Sequence, residues 1–149
     1  MYLKFKVNFR YFSQRWNGSP ATIIEHNNSK VYGAVWKINC ADLEELDRQE
    51  GVECEIYRPI EIKVFIEEFK EEIKCRTYQL FHNPPTPLDP EDRPFERQPS
   101  LTYLQVILNG ALESRLPDDY LNFLKKFKHN GRLAIDTNLT QTLDLKNIL

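Results

Sequence analysis

No stretch of about eighteen apolar residues occurs in the sequence, so nothing in it reads as a transmembrane helix. A secretory leader is not expected either, because residues 1–12, MYLKFKVNFRYF, alternate charged and apolar residues where a leader carries a continuous apolar run. Cysteine is scarce. Cys40, Cys54 and Cys75 are odd in number and far apart, no C-x-x-C occurs, and His26, His82 and His129 stand at no metal-ligand spacing to them. This usage excludes a disulfide framework and leads to a reducing compartment, the cytoplasm, with no structural metal. The five glycines are scattered and build neither G-x-G-x-x-G nor G-x-x-x-x-G-K, which removes the phosphate-cradling loops of nucleotide-binding proteins. Neither sign of charge prevails: 20 Lys and Arg stand against 22 Asp and Glu, net −2, without a basic stripe to track phosphates. Nucleic acid is therefore not an expected partner.

What is present is a mixed, foldable composition. With 149 residues, 41% hydrophobic and 12% aromatic, the chain can bury one substantial core and is expected to be a single domain, 1–149. Apolar residues at Leu3, Phe5, Val7 and Phe9 alternate with polar ones, the pattern of a half-buried strand. The turn-rich SQRWNGSP leads to a strand at ATIIE, and NNSK to another at VYGAVWKI. YRPIEIKVFIEE and EIKCRTYQLF read as two long strands joined by an acidic, solvated end, with Ile60, Ile62, Val64 and Ile66 on one face and Pro59 near the start, where a missing N–H does least harm.

Six of the nine prolines fall between Asn83 and Pro99, which makes that stretch a partly stiffened loop. Ser100 is placed to cap a helix running to about Arg115 with Leu104, Ile107, Leu108 and Ala111 inward. Pro117 starts a second helix carrying Leu121, Leu124 and Phe127, closed by Gly131. The tail, about 132–149, has weak periodicity, and no element is assigned to it.

One short helix carries a puzzle. Asn39 is a plausible N-cap, Gly51 a plausible left-handed stop, and between them Leu43, Leu46 and Glu50 fall at i, i+3 and i+7. A carboxylate would then share the apolar face in the last turn. Burial and the negative end of the helix dipole both raise such a carboxyl's pKa, which suits a group that must take and give protons near neutral pH.

The run LDRQEGVECEIY, a helix-end glutamate before a glycine with Tyr57 seven residues on, resembles the gamma-glutamylcyclotransferase signature. Further segments follow in the family's order: ATI, VYGAVWKIN, IEIKV, IKCRTYQL and PSLTYLQVILNGALESRLPDDYL. The resemblance runs from about Phe5 to about Phe127. It implies an α+β fold, a mixed β-barrel with flanking helices, and an enzyme of lyase or acyltransferase type in glutathione metabolism. In that chemistry the α-amine of a gamma-glutamyl group attacks its own side-chain carbonyl, releasing an amino acid and closing 5-oxoproline.

No cofactor is implied. Glu50 takes the role of general acid/base, and Tyr103, Tyr57 and Tyr78 match positions lining the substrate cavity. The helix end LDRQEG is more similar to the enzymes acting on gamma-glutamyl amino acids than to the glutathione-specific branch. A small gamma-glutamyl substrate and a homodimer are the partners implied. The family's Tyr-Gly-Ser-Asn loop, whose backbone N–H groups can stabilise an oxyanion, has no counterpart in the sequence. The chain is expected to begin after the first strand and that loop, which leaves an inactive homologue acting as a ligand- or protein-binding domain as the alternative.

Overall fold

β-branched and aromatic runs between turn formers become strands only where a partner strand takes up their backbone groups. In the computed structural model, which describes residues 5–84, 86 and 88–135, four runs do so: β1 (Phe5–Phe9), β2 (Ala21–Glu25), β3 (Tyr57–Ile66) and β4 (Glu71–Leu80). Three helices join them, α1 (Leu43–Gln49), α2 (Leu101–Glu113) and α3 (Asp118–Leu124), with short 3-10 turns at Cys40–Asp42 and Phe95–Arg97. The fold is α+β, as expected. The barrel is not observed: β1 pairs with β2 and β3 with β4 in two two-stranded sheets, and the described residues form no closed barrel.

The reason is visible at VYGAVWKI, which is a correction to the sequence reading. Residues 31–39 take no strand pairing, and beyond buried Val31 the run lies largely open, with Trp36 81% exposed. Its β propensity is real, but propensity without a partner does not make a strand.

The chain divides into two compact units, Met1–Asn8 with Thr22–Pro87 and Phe9–Ala21 with Leu88–Leu149. In the first, β3 and β4 pair antiparallel from Tyr57 opposite Leu80 to Ile66 opposite Glu71. Directly opposed residues share a face, so Ile60, Ile62, Val64 and Ile66 lie together as expected. Ile62 and Val64 are buried, with Phe5, Ile60, Ile66, Ile73 and Cys75 packed against them.

Side chains tie β2 to the end of β4: the Leu80 N–H donates to Thr22 Oγ1 (3.0 Å), and Gln79 Nε2 and Asn83 Nδ2 donate to the Ile23 carbonyl (2.9 and 3.1 Å). The Thr22 hydroxyl donates in turn to Asn83 Oδ1 at 2.7 Å. Buried polar groups are thereby satisfied. The alternation read in β1 is broken at its end, where Asn8 is buried as completely as Phe9 and its amide donates to the Thr86 carbonyl.

In the second unit, Ser100 caps α2 as expected, its hydroxyl accepting the Tyr103 N–H at 3.1 Å. Leu104, Leu108 and Ala111 are buried and Ile107 partly so. Helix α3 buries Tyr120, Leu121 and Leu124 and packs on α2. Pro117 is its N-cap, and the helix ends at Leu124, seven residues short of Gly131, because the chain turns at Lys125–Phe127 to bury Phe127. Phe127 and Phe9 meet edge to face at 5.2 Å, and the Arg93 guanidinium lies 5.2 and 5.1 Å from their two ring centres. The proline-rich loop is not wholly irregular, since Phe95–Arg97 forms a 3-10 turn. Of the tail left unassigned, residues 136–149 lie outside the described residues.

Gly18 shows how tightly the second unit is closed: a Cβ there would stand 2.2 Å from the Ser100 nitrogen and 2.9 Å from the Pro99 carbonyl carbon. Gly110, inside α2, has nothing within 4 Å. Gly18→Ala is therefore expected to lower the unfolding free energy by about 1–3 kcal/mol or more. Gly110→Ala is expected to raise it by about 0.5–1 kcal/mol. Urea unfolding followed by circular dichroism reads both signs.

Candidate active site

Helix α1 presents one half-buried face, Leu43, Leu46, Asp47 and Glu50, and leaves Glu44, Glu45, Arg48 and Gln49 exposed. The spacing i, i+3, i+4, i+7 is that of a helix stripe. Glu50 thus shares the face of the leucines, as the sequence indicated. The start of the helix differs from expectation. Asn39 precedes the 3-10 turn Cys40–Asp42, makes no side-chain cap hydrogen bond, and Asp42 is the residue at the N-cap of α1. The tighter 3-10 turn takes the place of a side-chain cap by satisfying the Asp42 N–H on the Asn39 carbonyl at 3.0 Å.

The end of the helix is strongly specified. Gly51 adopts φ +66°. Its N–H donates to the Arg48 carbonyl (3.1 Å) and the Val52 N–H to the Asp47 carbonyl (3.0 Å). This pair of bonds is the Schellman arrangement, with Glu50 as the last residue of helical geometry. The chain then folds over the stop, the Ile56 N–H donating to the Gly51 carbonyl at 3.1 Å. Ile56 leaves no room for a side chain at residue 51, where a Cβ would lie 2.8 Å from its Cδ1. From this turn the chain enters β3 at Tyr57.

Tyr57 and Tyr78 lie on one face of the β3–β4 hairpin, since Tyr57 is opposite Leu80 and Tyr78 opposite Pro59. Arg76 is on the same face and its guanidinium sits 5.6 Å over the Tyr78 ring. Helix α1 is fastened to this face through Asp47. Arg76 Nη2 donates to both carboxylate oxygens, at 2.5 and 2.7 Å, and the Tyr78 hydroxyl donates to Oδ1. The Tyr78 hydroxyl bond and then Arg76 hold the Asp47 carboxyl below its ordinary value, against some desolvation. Desolvation and the Asp47 bond raise the Tyr78 phenol.

Glu50 differs from Asp47 in its surroundings: burial alone pushes its carboxyl above the ordinary value of 4.5. Two carboxylates one turn apart are therefore driven in opposite directions, one held ionised by donors and the other eased toward its protonated form. That is the character an acid/base group needs.

Tyr103 belongs to the second unit. Its hydroxyl accepts the Ala21 N–H at 3.1 Å, and its ring meets Trp16 at 4.7 Å and Phe9 at 6.4 Å. The first unit thus gathers Glu50, Tyr57 and Tyr78 around α1 and the hairpin, while Tyr103 is anchored in the second. Asp47 and Arg76 were not singled out from the sequence. The signal for Asp47 was available, because it falls between Leu46 and Glu50 on the same stripe. Among the described residues no three His, Cys, Asp or Glu side chains gather as a metal ion requires.

An α+β protein with a half-buried, helix-end glutamate above a tyrosine-bearing hairpin is the class that fold and site define. Residues 30–124 match the AIG2-like family, and the chain belongs to that family. It is 40% identical over 125 residues to the gamma-glutamylcyclotransferase of Bos taurus and 38% identical over 130 residues to that of Mus musculus. These alignments cover 82% and 85% of this chain but 60% and 63% of the two relatives, so the chain spans under two thirds of their length. A solved gamma-glutamyl cyclotransferase structure is similar with a TM-score of 0.79 at 32% identity, over 95% of this chain and 80% of that one.

A carboxyl whose pKa is raised in the folded state makes stability fall as pH climbs from the unfolded value through the folded one, because the native state must give up a proton it holds more tightly. Glu50→Gln removes that loss. The unfolding free energy of Glu50→Gln relative to the unsubstituted protein is expected to increase above pH about 4.5 and then level off. Urea titrations from about pH 4 to about pH 8 measure the difference.

Proposed function

We propose that the chain carries gamma-glutamylcyclotransferase activity, cleaving gamma-glutamyl amino acids to 5-oxoproline and a free amino acid, with Glu50 as the acid/base. The observation that carries this reading is Glu50 itself, half-buried at the helix stop, its pKa raised by burial, followed by the Gly51 turn that leads into Tyr57. The names of the curated relatives support it.

The chemistry makes two demands on protons. The substrate's ammonium gives a proton to the Glu50 carboxylate, and the freed α-amine attacks the γ-carbonyl carbon to form the five-membered ring. As the amide C–N bond breaks, the departing nitrogen takes that proton back from the Glu50 carboxyl, and the second proton of the ring nitrogen passes through the regenerated carboxylate to the released amine, which leaves as the ammonium. No proton is gained or lost overall, and one group serves both steps. Because the attack is intramolecular, holding the gamma-glutamyl moiety in a reactive conformer supplies much of the acceleration.

The family resemblance offers Tyr57, Tyr78 and Tyr103 as substrate-binding residues. The Tyr78 hydroxyl already donates to Asp47, so its ring and its oxygen lone pairs are what it offers a ligand. The helix end LDRQEG supports gamma-glutamyl amino acids over glutathione as substrates. One domain over 1–149 is supported by a structural likeness that covers 95% of the chain. A cytoplasmic location is supported by the spread of the three cysteines, and a homodimer by the family resemblance. No helix of the described residues is long and apolar enough to cross a membrane.

The test is 5-oxoproline release from a gamma-glutamyl amino acid by the folded chain beside Glu50→Gln. The substitution keeps the shape and is expected to lower kcat by about 10²–10⁴-fold. The acid limb of kcat/KM is expected above pH about 4.5, since the carboxylate must be ionised to accept the first proton. A folded protein with no turnover in either form would leave the alternative, a ligand- or protein-binding domain.

A further inference from the structure

Helix α1 has few means of holding its place. It is seven residues long, buries none of its side chains completely and has no side-chain N-cap; a helix this short is not stable on its own backbone bonds. Leu43 and Leu46 are only partly buried, so apolar packing locates it loosely. Among the described residues two fastenings stand out. One is the Gly51 stop beyond its end. The other lies inside it, at Asp47.

That second fastening is directional. One guanidinium nitrogen, Arg76 Nη2, bridges both oxygens of the carboxylate, and the Tyr78 hydroxyl bonds Oδ1 from two residues further along β4, so two side chains together fix the carboxylate's orientation as well as its distance. Arg76 and Tyr78 are held by the strand pairing opposite Glu61 and Pro59. The clamp therefore joins a marginal helix to the longest regular element of its unit. Asp47 stands three residues before Glu50, about 4.5 Å along the helix axis at 1.5 Å per residue, so any rotation of α1 about its axis that moves one carboxylate moves the other. With side-chain exposures of 36% for Arg76 and 31% for Asp47, the pair adds little to global stability. Its effect is on placement.

The geometry points to Asp47 as a positioning residue: through Arg76 and Tyr78 it fastens α1 to β4 and so sets where the Glu50 carboxyl stands. The inference rests on the reading of Glu50 as the acid/base. It also gives Tyr78 a task apart from any contact with substrate, that of holding Asp47 from the hairpin face.

Asp47→Asn keeps the side chain's shape and removes the charge that Arg76 and Tyr78 grip. The variant is expected to unfold cooperatively, with KM within about 2-fold of the unsubstituted protein and kcat lower by about 10–100-fold, the cost of a misplaced acid/base. A merely structural role would leave kcat per folded molecule unchanged. A second readout does not depend on turnover: the titration of Glu50 itself, followed by an isotope label in its carboxyl group. Its midpoint is expected to move down toward 4.5 as the loosened helix end takes on water.

A folded Asp47→Asn whose Glu50 midpoint stays at the unsubstituted value overturns the proposal, whatever its turnover. Arg76→Gln, made beside it, removes the other half of the clamp and keeps the Asp47 charge. Loss of a cation by itself would push the Glu50 carboxyl up, so a Glu50 midpoint that stays or rises in Arg76→Gln overturns the proposal. If the unsubstituted protein releases no 5-oxoproline, the proposed function falls, while the titration still decides the role of Asp47.

Discussion

The left-handed turn at Gly51 is the constraint on which the first unit's candidate site depends. It ends α1 at Glu50, satisfies two of the helix's last carbonyls, and reverses the chain closely enough for Ile56 to hydrogen-bond back to it. Everything that follows is set by that reversal. Tyr57 enters β3 in a register that puts it on the face of Tyr78 and Arg76, and Arg76 and Tyr78 in turn reach Asp47. A side chain at residue 51 would meet both an unfavourable backbone conformation and the Ile56 side chain. The glutamate before it is partly buried at the end of the helix, and its carboxyl is raised by that burial.

Two acidic residues on one short helix show how local placement divides their roles. Asp47 sits within reach of a guanidinium and a phenol, and its charge is met on the spot. Glu50 sits where burial is the main influence on its ionisation. Neither state follows from residue type. It follows from which donors the hairpin presents at each position along the stripe, and the hairpin presents its cation at residue 76, opposite the earlier of the two.

Much of this was legible in the sequence, for reasons that can be named. β1, β2, β3, β4 and α2 carry strong periodicity, and the stop at Gly51 and the cap at Ser100 are local chemistry that needs no distant partner. The failures are those of elements whose state is decided elsewhere. VYGAVWKI has the composition of a strand, yet pairing is a property of two segments and only one is in the string being read. Asn39 has the side chain of a cap, but the 3-10 turn uses its backbone carbonyl. Gly131 reads as a helix stop because the drive to bury Phe127, which ends α3 earlier, depends on Phe9 more than a hundred residues away. At the site, Glu50 was found because a carboxylate among leucines is conspicuous. Asp47 was passed over because its partners lie about thirty residues ahead on another element.

The division of the chain into two units, each built from two separated stretches, bears on how the molecule is made. Residues 9–21 leave the ribosome before residues 22–87, yet the segments that close around them, carrying Ser100, Tyr103 and Phe127, are synthesised after those residues. Phe9 and Trp16 must therefore wait unburied while the whole of residues 22–87 is translated, an interval of several seconds at roughly 5–20 residues per second. The hairpin of the first unit, with its local contacts, can form within that interval. Synthesis thus imposes an order on the two units that the finished fold does not display, and it leaves the early aromatic segment as the part of the nascent chain most in need of shielding.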